Sequence, residues 1–124
     1  MYEKIISLEH YQINSFEYSL EKKTADFSLT HETGKDSQLY SFKGVKRLVI
    51  EHMDYDLEEP FLIDEVYFEV MDDGGNSYLM KHNFFHTNRD GKHTSTGKCG
   101  YLLQIVGDLS ITLLFEQLDV EFLG

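Results

Sequence analysis

Ser15-Phe16-Glu17-Tyr18-Ser19-Leu20 is followed by Glu21-Lys22-Lys23-Thr24 and then by Ala25-Asp26-Phe27-Ser28-Leu29. Apolar side chains at 16, 18 and 20, and again at 25, 27 and 29, alternate with polar ones, which is the period of a strand with one buried face. The charged segment between the two runs supplies the turn, so this stretch predicts a β-hairpin. Working outward, residues 31–37 are polar and contain Gly34, a loop, and strand character resumes from Leu39 to Ile50 around Gly44, where a bulge or bend is expected. Val66, Phe68 and Val70 then alternate with Glu65, Tyr67 and Glu69, and Asp72-Asp73-Gly74-Gly75-Asn76 supplies turn chemistry before Tyr78, Met80 and His82. That is a second hairpin. A third runs from Tyr101 through the turn Gly107-Asp108 to Phe115, with Leu109, Ile111, Leu113 and Phe115 on one face, and Leu118, Val120 and Phe122 continue the alternation. Near the start, Tyr2 to Glu9 fits a short helix or an edge strand equally well. About eight short strands with hardly any helical periodicity predict an all-β fold, a single-domain antiparallel β-sandwich or flattened barrel spanning residues 1–124. Its expected core holds Phe16, Tyr18, Phe27, Leu29, Val66, Phe68, Ile111, Leu113 and Phe115.

The chain has 124 residues, 41% of them hydrophobic and 14% aromatic, enough apolar material for one core. Asp and Glu number 22 against 11 Lys and Arg, a net charge of -11, which counts against a phosphate-backbone binder and excludes nucleic acid as the expected partner. Cys99, the single cysteine, cannot close an internal disulfide, so a reducing cytoplasm is expected. The opening residues carry Glu3 and Glu9 where an export signal needs a basic start and an unbroken apolar run. No apolar run approaches the ~20 residues needed to cross a bilayer as a helix, so no membrane partner is expected.

Several constellations invite chemistry and fail on mechanics. His82, His86, His93 and Cys99 are zinc-ligand types, yet His82 lies in a segment that reads as strand, and a glycine-rich loop from His86 to Gly100 would have to deliver the others. Gly91 to Cys99 approaches a phosphate-binding loop, but five residues separate the glycines and Cys99 stands where a magnesium-binding hydroxyl belongs. Asp54, Asp56, Glu58 and Glu65 fall in a calcium-loop register that Glu59 and Pro60 break at its turn. No nucleophile elbow accompanies the serines and histidines. No metal, no cofactor and no catalytic residue is expected, and the chain reads as a non-enzyme.

The strongest feature is charge placement. Between Leu48 and Met80 lie ten acids and no Lys or Arg, with Tyr55, Leu57, Phe61 and Tyr67 interleaved. Carboxylates beside aromatics suit a surface that steers a basic protein in and anchors it with apolar area. The expected partner-binding residues are Asp54, Tyr55, Asp56, Leu57, Glu58, Glu59, Phe61 and Glu65.

The order of features adds a resemblance: His10, then Ile13-Asn14-Ser15-Phe16 and a first hairpin, then Leu39-Tyr40-Ser41-Phe42-Lys43-Gly44-Val45, then Ile63-Asp64-Glu65-Val66-Tyr67. This layout resembles small acidic immunity proteins of bacterial polymorphic-toxin systems. The resemblance implies a non-enzymatic cytoplasmic protein that binds and masks a basic toxin, and it carries over no site residues. The competing reading is a small ligand-binding or metal-assisted enzyme domain, using a cavity between the sheets or the histidine-containing loop.

Overall fold

The computed structural model of the chain describes residues 2–52, 60–72 and 100–124. A short helix α1 (Tyr2–Ile6) continues into a 3₁₀ turn at Ser7–His10. Spacing of three places Ile5 and Leu8 on one face, and both are fully buried against the strands. The ambiguous first segment is therefore helical, its apolar side covering the core. Eight strands follow among the described residues: β1 (Tyr11–Ser19), β2 (Thr24–His31), β3 (Ser37–Lys43), β4 (Arg47–His52), β5 (Phe61–Met71), β6 (Gly100–Gly107), β7 (Leu109–Phe115) and β8 (Gln117–Phe122).

The strands join in one antiparallel sheet of order β4-β7-β6-β5-β1-β2-β3-β8. Its two halves meet at a narrow seam, where β1 pairs with β5 only at Gln12 opposite Leu62 and Ile13 opposite Phe61. At the other side the chain itself passes between halves. β3 bends into β4 at residues 44–46, and β7 bends into β8 at Glu116. The bent segments stay side by side: Lys46 N–H donates to Leu114 O at 2.8 Å and Glu116 N–H donates to Lys43 O at 3.0 Å. Gly44 sits at the bend with φ +65°, a left-handed conformation glycine adopts without cost, as its place in the sequence predicted.

Bending brings the inner faces of the two halves together, with strands switching halves at corners as in sandwiches. Phe42 of β3 meets Phe115 of β7 edge-to-face at 4.8 Å. One core gathers Ile13, Ala25, Phe27, Leu29, Tyr40 and Phe42 from one half with Leu103, Ile105, Ile111, Leu113 and Phe115 from the other. The all-β, antiparallel expectation holds. The sandwich-like packing is made by a single bent sheet, which among the described residues ends at β4 and β8 and does not close into a barrel.

Two expected core residues are not buried. Phe16 and Tyr18 are 41% and 40% exposed. Both face the same side as Ile13, and Phe16 stacks on Phe27 at 5.8 Å. Beyond Ile13, however, β1 has a described neighbour only in β2, so their outer flank has nothing to pack on among the described residues. Phe68 is partly buried, stacked on Tyr101 at 5.7 Å. The third hairpin stands as expected, with Leu109, Ile111, Leu113 and Phe115 all buried. The second arm of the expected second hairpin, Tyr78 to His82, lies outside the described residues, as does nearly all of the loop expected at 86–100.

Candidate partner-binding surface

β5 carries Asp64, Glu65 and Glu69 of the acidic stretch, with Glu51 on β4 and Asp72 just past its end, and its face pattern turns on a bulge. Ile63 and Val66 are both buried although three residues apart, because the pairing with β6 shifts between Ile63 and Glu65. The extra residue, Asp64, takes up the change of phase. The outward row then runs Leu62, Glu65, Tyr67, Glu69, all exposed. Without the bulge, strict alternation from Leu62 would turn Val66 and Phe68 outward and Glu65 and Tyr67 into the core.

The start of this row is clamped by the β6–β7 turn. Asp108 N–H donates to Leu62 O at 3.0 Å, and Leu62 N–H donates to Asp108 Oδ2 at 2.9 Å. Gly107 permits the close approach: a Cβ there would lie 2.2 Å from Leu62 O. A turn from the far end of the chain thus fixes the height at which the carboxylates begin.

Tyr67 is the centre of the row. It is 53% exposed, and its hydroxyl donates to Glu65 Oε2 at 2.5 Å. That hydrogen bond, together with the negative charge of Glu65, holds the phenol above its ordinary ionisation range. The ring is therefore oriented by its neighbour and stays neutral, an aromatic plate between two carboxylates. Opposite it on β6 lies Gln104, with Leu102 opposite Glu69, and these four together with Phe68 of β5 line a shallow depression of about 380 Å³. Beyond Glu69 the same face turns apolar, where Met71 packs on the buried pair Leu102 and Leu114.

The structure divides the expected binding residues into three groups. Asp54, Tyr55, Asp56, Leu57, Glu58 and Glu59 lie outside the described residues. Glu65 is exposed and in the acidic row. Phe61 is 7% exposed and belongs to the core, which removes it as an exposed anchor. Its pairing opposite Ile13 of β1 turns its side chain inward at the seam. Tyr67, interleaved with the acids in the sequence, is the exposed aromatic of the described part of the stretch, and Glu69 is exposed on the same face. The reading missed Leu62, because an apolar residue between Phe61 and Ile63 gives no sign of which of the three points outward.

The metal-ligand and phosphate-loop constellations fall almost wholly outside the described residues. Among the described residues, no three His, Cys, Asp or Glu side chains are placed to hold a metal ion. No helix of the described residues is long and apolar enough to cross a membrane. Comparison with protein-family models gives no match, and no curated protein matches the sequence.

Proposed function

We propose that the protein is a non-enzymatic binding module whose acidic β5 face engages a basic protein, in the manner of a toxin-neutralising immunity protein acting in the cytoplasm. The observation that carries this reading is the exposed row Glu65–Tyr67–Glu69, a preoriented aromatic ring between two carboxylates on a strand with no cation. Carboxylates of one sign raise the encounter rate with a basic surface, and the tyrosine and the adjoining Leu62 supply apolar area that is retained once water is excluded. The overall charge of -11 extends the same attraction to longer range at low ionic strength.

The test begins with the tagged protein as bait and mass-spectrometric identification of what it retains from its own cells. The retained protein should be basic, should arrest growth when expressed alone, and should be tolerated when this chain is co-expressed. With that pair in hand, the association rate should fall about tenfold or more from low to high salt. Tyr67→Ala should act mainly on dissociation, since a buried ring is not screened. An association rate indifferent to salt, or full affinity in a Glu65→Gln/Tyr67→Ala/Glu69→Gln variant, would remove the acidic face from the interface.

A further inference from the structure

The depression beside Tyr67 has the parts to receive one kind of cationic side chain. Along the outward row of β5 it lies on the Glu69 side of Tyr67, and Glu65 is not among the residues that line it. The Glu65 carboxylate accepts the Tyr67 hydroxyl, so the ring stands between Glu65 and the depression and forms one of its walls. Leu102, paired opposite Glu69 and only 7% exposed, gives it an apolar floor. Glu69 and Gln104 are exposed at its rim, and neither side chain has a hydrogen bond or ion pair to another of the described residues.

A phenol that donates its proton toward a carboxylate gains electron density in its ring, and the negative faces of an aromatic ring attract cations. Glu65 therefore strengthens the ring as a cation acceptor without reaching the depression itself. Of the two permanently cationic side chains, lysine carries a compact, strongly hydrated ammonium, whereas the guanidinium of arginine is planar, weakly hydrated and bears five N–H donors in a fixed fork. Such a plane can lie against an aromatic wall and an apolar floor while its edge donates to oxygen acceptors, and Glu69 and Gln104 are the acceptors at this rim. A site for a free small molecule encloses most of its ligand, but a shallow depression on a strand face covers only one flank. It suits a side chain whose other flank is covered by the protein that delivers it.

We infer that this depression receives an arginine side chain of the basic partner, the guanidinium stacked on Tyr67 above Leu102 and its N–H groups donating to the Glu69 carboxylate and the Gln104 amide oxygen. Glu65 touches no part of the guanidinium and is a positioning residue, acting through the Tyr67 hydroxyl. The inference rests on the reading of β5 as a partner-binding face and narrows it. The carboxylates attract any cation at a distance, and the ring with its floor discriminates between cations at contact. Tyrosine and arginine are both over-represented among the few side chains that dominate protein interfaces, so one such pair would carry a large share of the affinity.

N-acetyl-arginine amide is the probe, with N-acetyl-lysine amide as the control of equal charge and N-acetyl-citrulline amide as the uncharged control of similar shape. Each is titrated at fixed ionic strength into the isotopically labelled full chain and followed by amide chemical shifts. The arginine probe should bind saturably with a dissociation constant of about 10 mM or tighter, and its shifts should centre on Tyr67, Glu69, Leu102 and Gln104. The lysine probe should bind about two- to fivefold more weakly, the equivalent of one cation–π contact at an exposed site. Citrulline should leave those amides unmoved. Glu65, Tyr67 and Glu69 are exposed, so their substitution leaves the core intact. Tyr67→Leu should bring the arginine-to-lysine ratio of affinities to about one, while Glu69→Gln should weaken both probes several-fold. Glu65→Gln should lower the ratio in the wild-type background and leave it unchanged beside Tyr67→Leu, because a lost charge alone acts on both probes alike. Equal affinity of the two cationic probes, shifts centred elsewhere, or a ratio unaffected by Tyr67→Leu would overturn the assignment, and a ratio unaffected by Glu65→Gln would overturn the positioning role. Salt-dependent binding of the partner without arginine selectivity would sink this subsite alone. Arginine selectivity together with full partner affinity in the Glu65→Gln/Tyr67→Ala/Glu69→Gln variant would sink the partner reading alone.

Discussion

Tyr40→Phe isolates one buried hydroxyl and makes a prediction in two variables, stability and pH. Tyr40 is 1% exposed on β3, its ring 6.4 Å from that of Phe42, and its hydroxyl donates to Lys4 O in α1 at 2.9 Å. The substitution keeps the ring and its packing and removes only the hydroxyl. Lys4 O still accepts from Ser7 Oγ at 2.8 Å, so the carbonyl keeps a partner, and the loss is that of one hydrogen bond rather than a full desolvation penalty. That sets the cost at about 1 kcal/mol at neutral pH. Burial is the larger cause that holds the Tyr40 phenol above the ordinary tyrosine value, with the Ser7 hydroxyl pulling it down and Tyr11 adding to the rise. Protonated in both states below pH ~10, the phenol contributes fully there; above it the unfolded chain releases its proton first, and the contribution is lost as pH rises through the folded value. The wild type should therefore lose its advantage over Tyr40→Phe between pH ~10 and higher. Tyr11, also raised chiefly by burial, is common to both proteins and cancels in the difference. Urea unfolding followed by far-ultraviolet circular dichroism, run from pH 7 to 11 on both proteins, measures it. A variant as stable as wild type at pH 7, or a difference that stays constant through pH 11, would refute the assignment of that hydroxyl.

Phe115→Ala should cost about 3–5 kcal/mol, since the ring is fully buried and touches both Phe42 and Tyr101, at 4.8 and 5.6 Å. A loss under ~1 kcal/mol in the same unfolding assay would mean the two halves of the sheet do not meet there. Gly107→Ala forces a Cβ against the Leu62 carbonyl and should destabilise by at least about 1–3 kcal/mol, with faster amide exchange at Leu62 and Asp108. Unchanged exchange at those amides would contradict the clamp on β5. Tyr67 should ionise above the ordinary tyrosine range in a spectrophotometric titration, and Glu65→Gln should bring it down, because the acceptor's charge is gone. An identical titration in the two proteins would break the Glu65–Tyr67 pair.

The hairpins were legible because strand pairing here is local: β1 with β2 and β6 with β7 join across turns of a few residues, and from Ser15 onward the alternation in the first hairpin, like that in the third, keeps a single phase. Phase breaks were harder. Register shifts between Ile13 and Ser15 and between Ile63 and Glu65 insert one residue each, and a period-two count cannot cross them. Phe16 and Tyr18 show a different limit: alternation gives the face a side chain takes, while burial depends on whether another strand covers that face. Phe61 shows the reverse. Its acidic neighbours marked it as surface, yet its place opposite Ile13 at the seam decides its burial, and that pairing joins positions 48 residues apart.

The same reasoning explains why the acidic row was visible and the cleft at the sheet's corner was not. Glu65, Tyr67 and Glu69 share a face because they alternate along one strand, a relation written in adjacent letters. Lys23 and Lys46 are 23 positions apart and line one cleft only because β3 turns at Gly44 and Val45 reaches back to the Lys23 carbonyl. Segregation of charge then follows from topology rather than composition. Lys43, Lys46 and Arg47 lie in or beside that bend while β5 carries no Lys or Arg, so charge is unevenly placed over the described residues. Within a Debye length of about 8 Å at physiological ionic strength, an approaching group responds to the nearest cluster rather than to the sum. A cationic group that approaches β5 therefore meets the field of Glu65 and Glu69 before that of the rest of the chain.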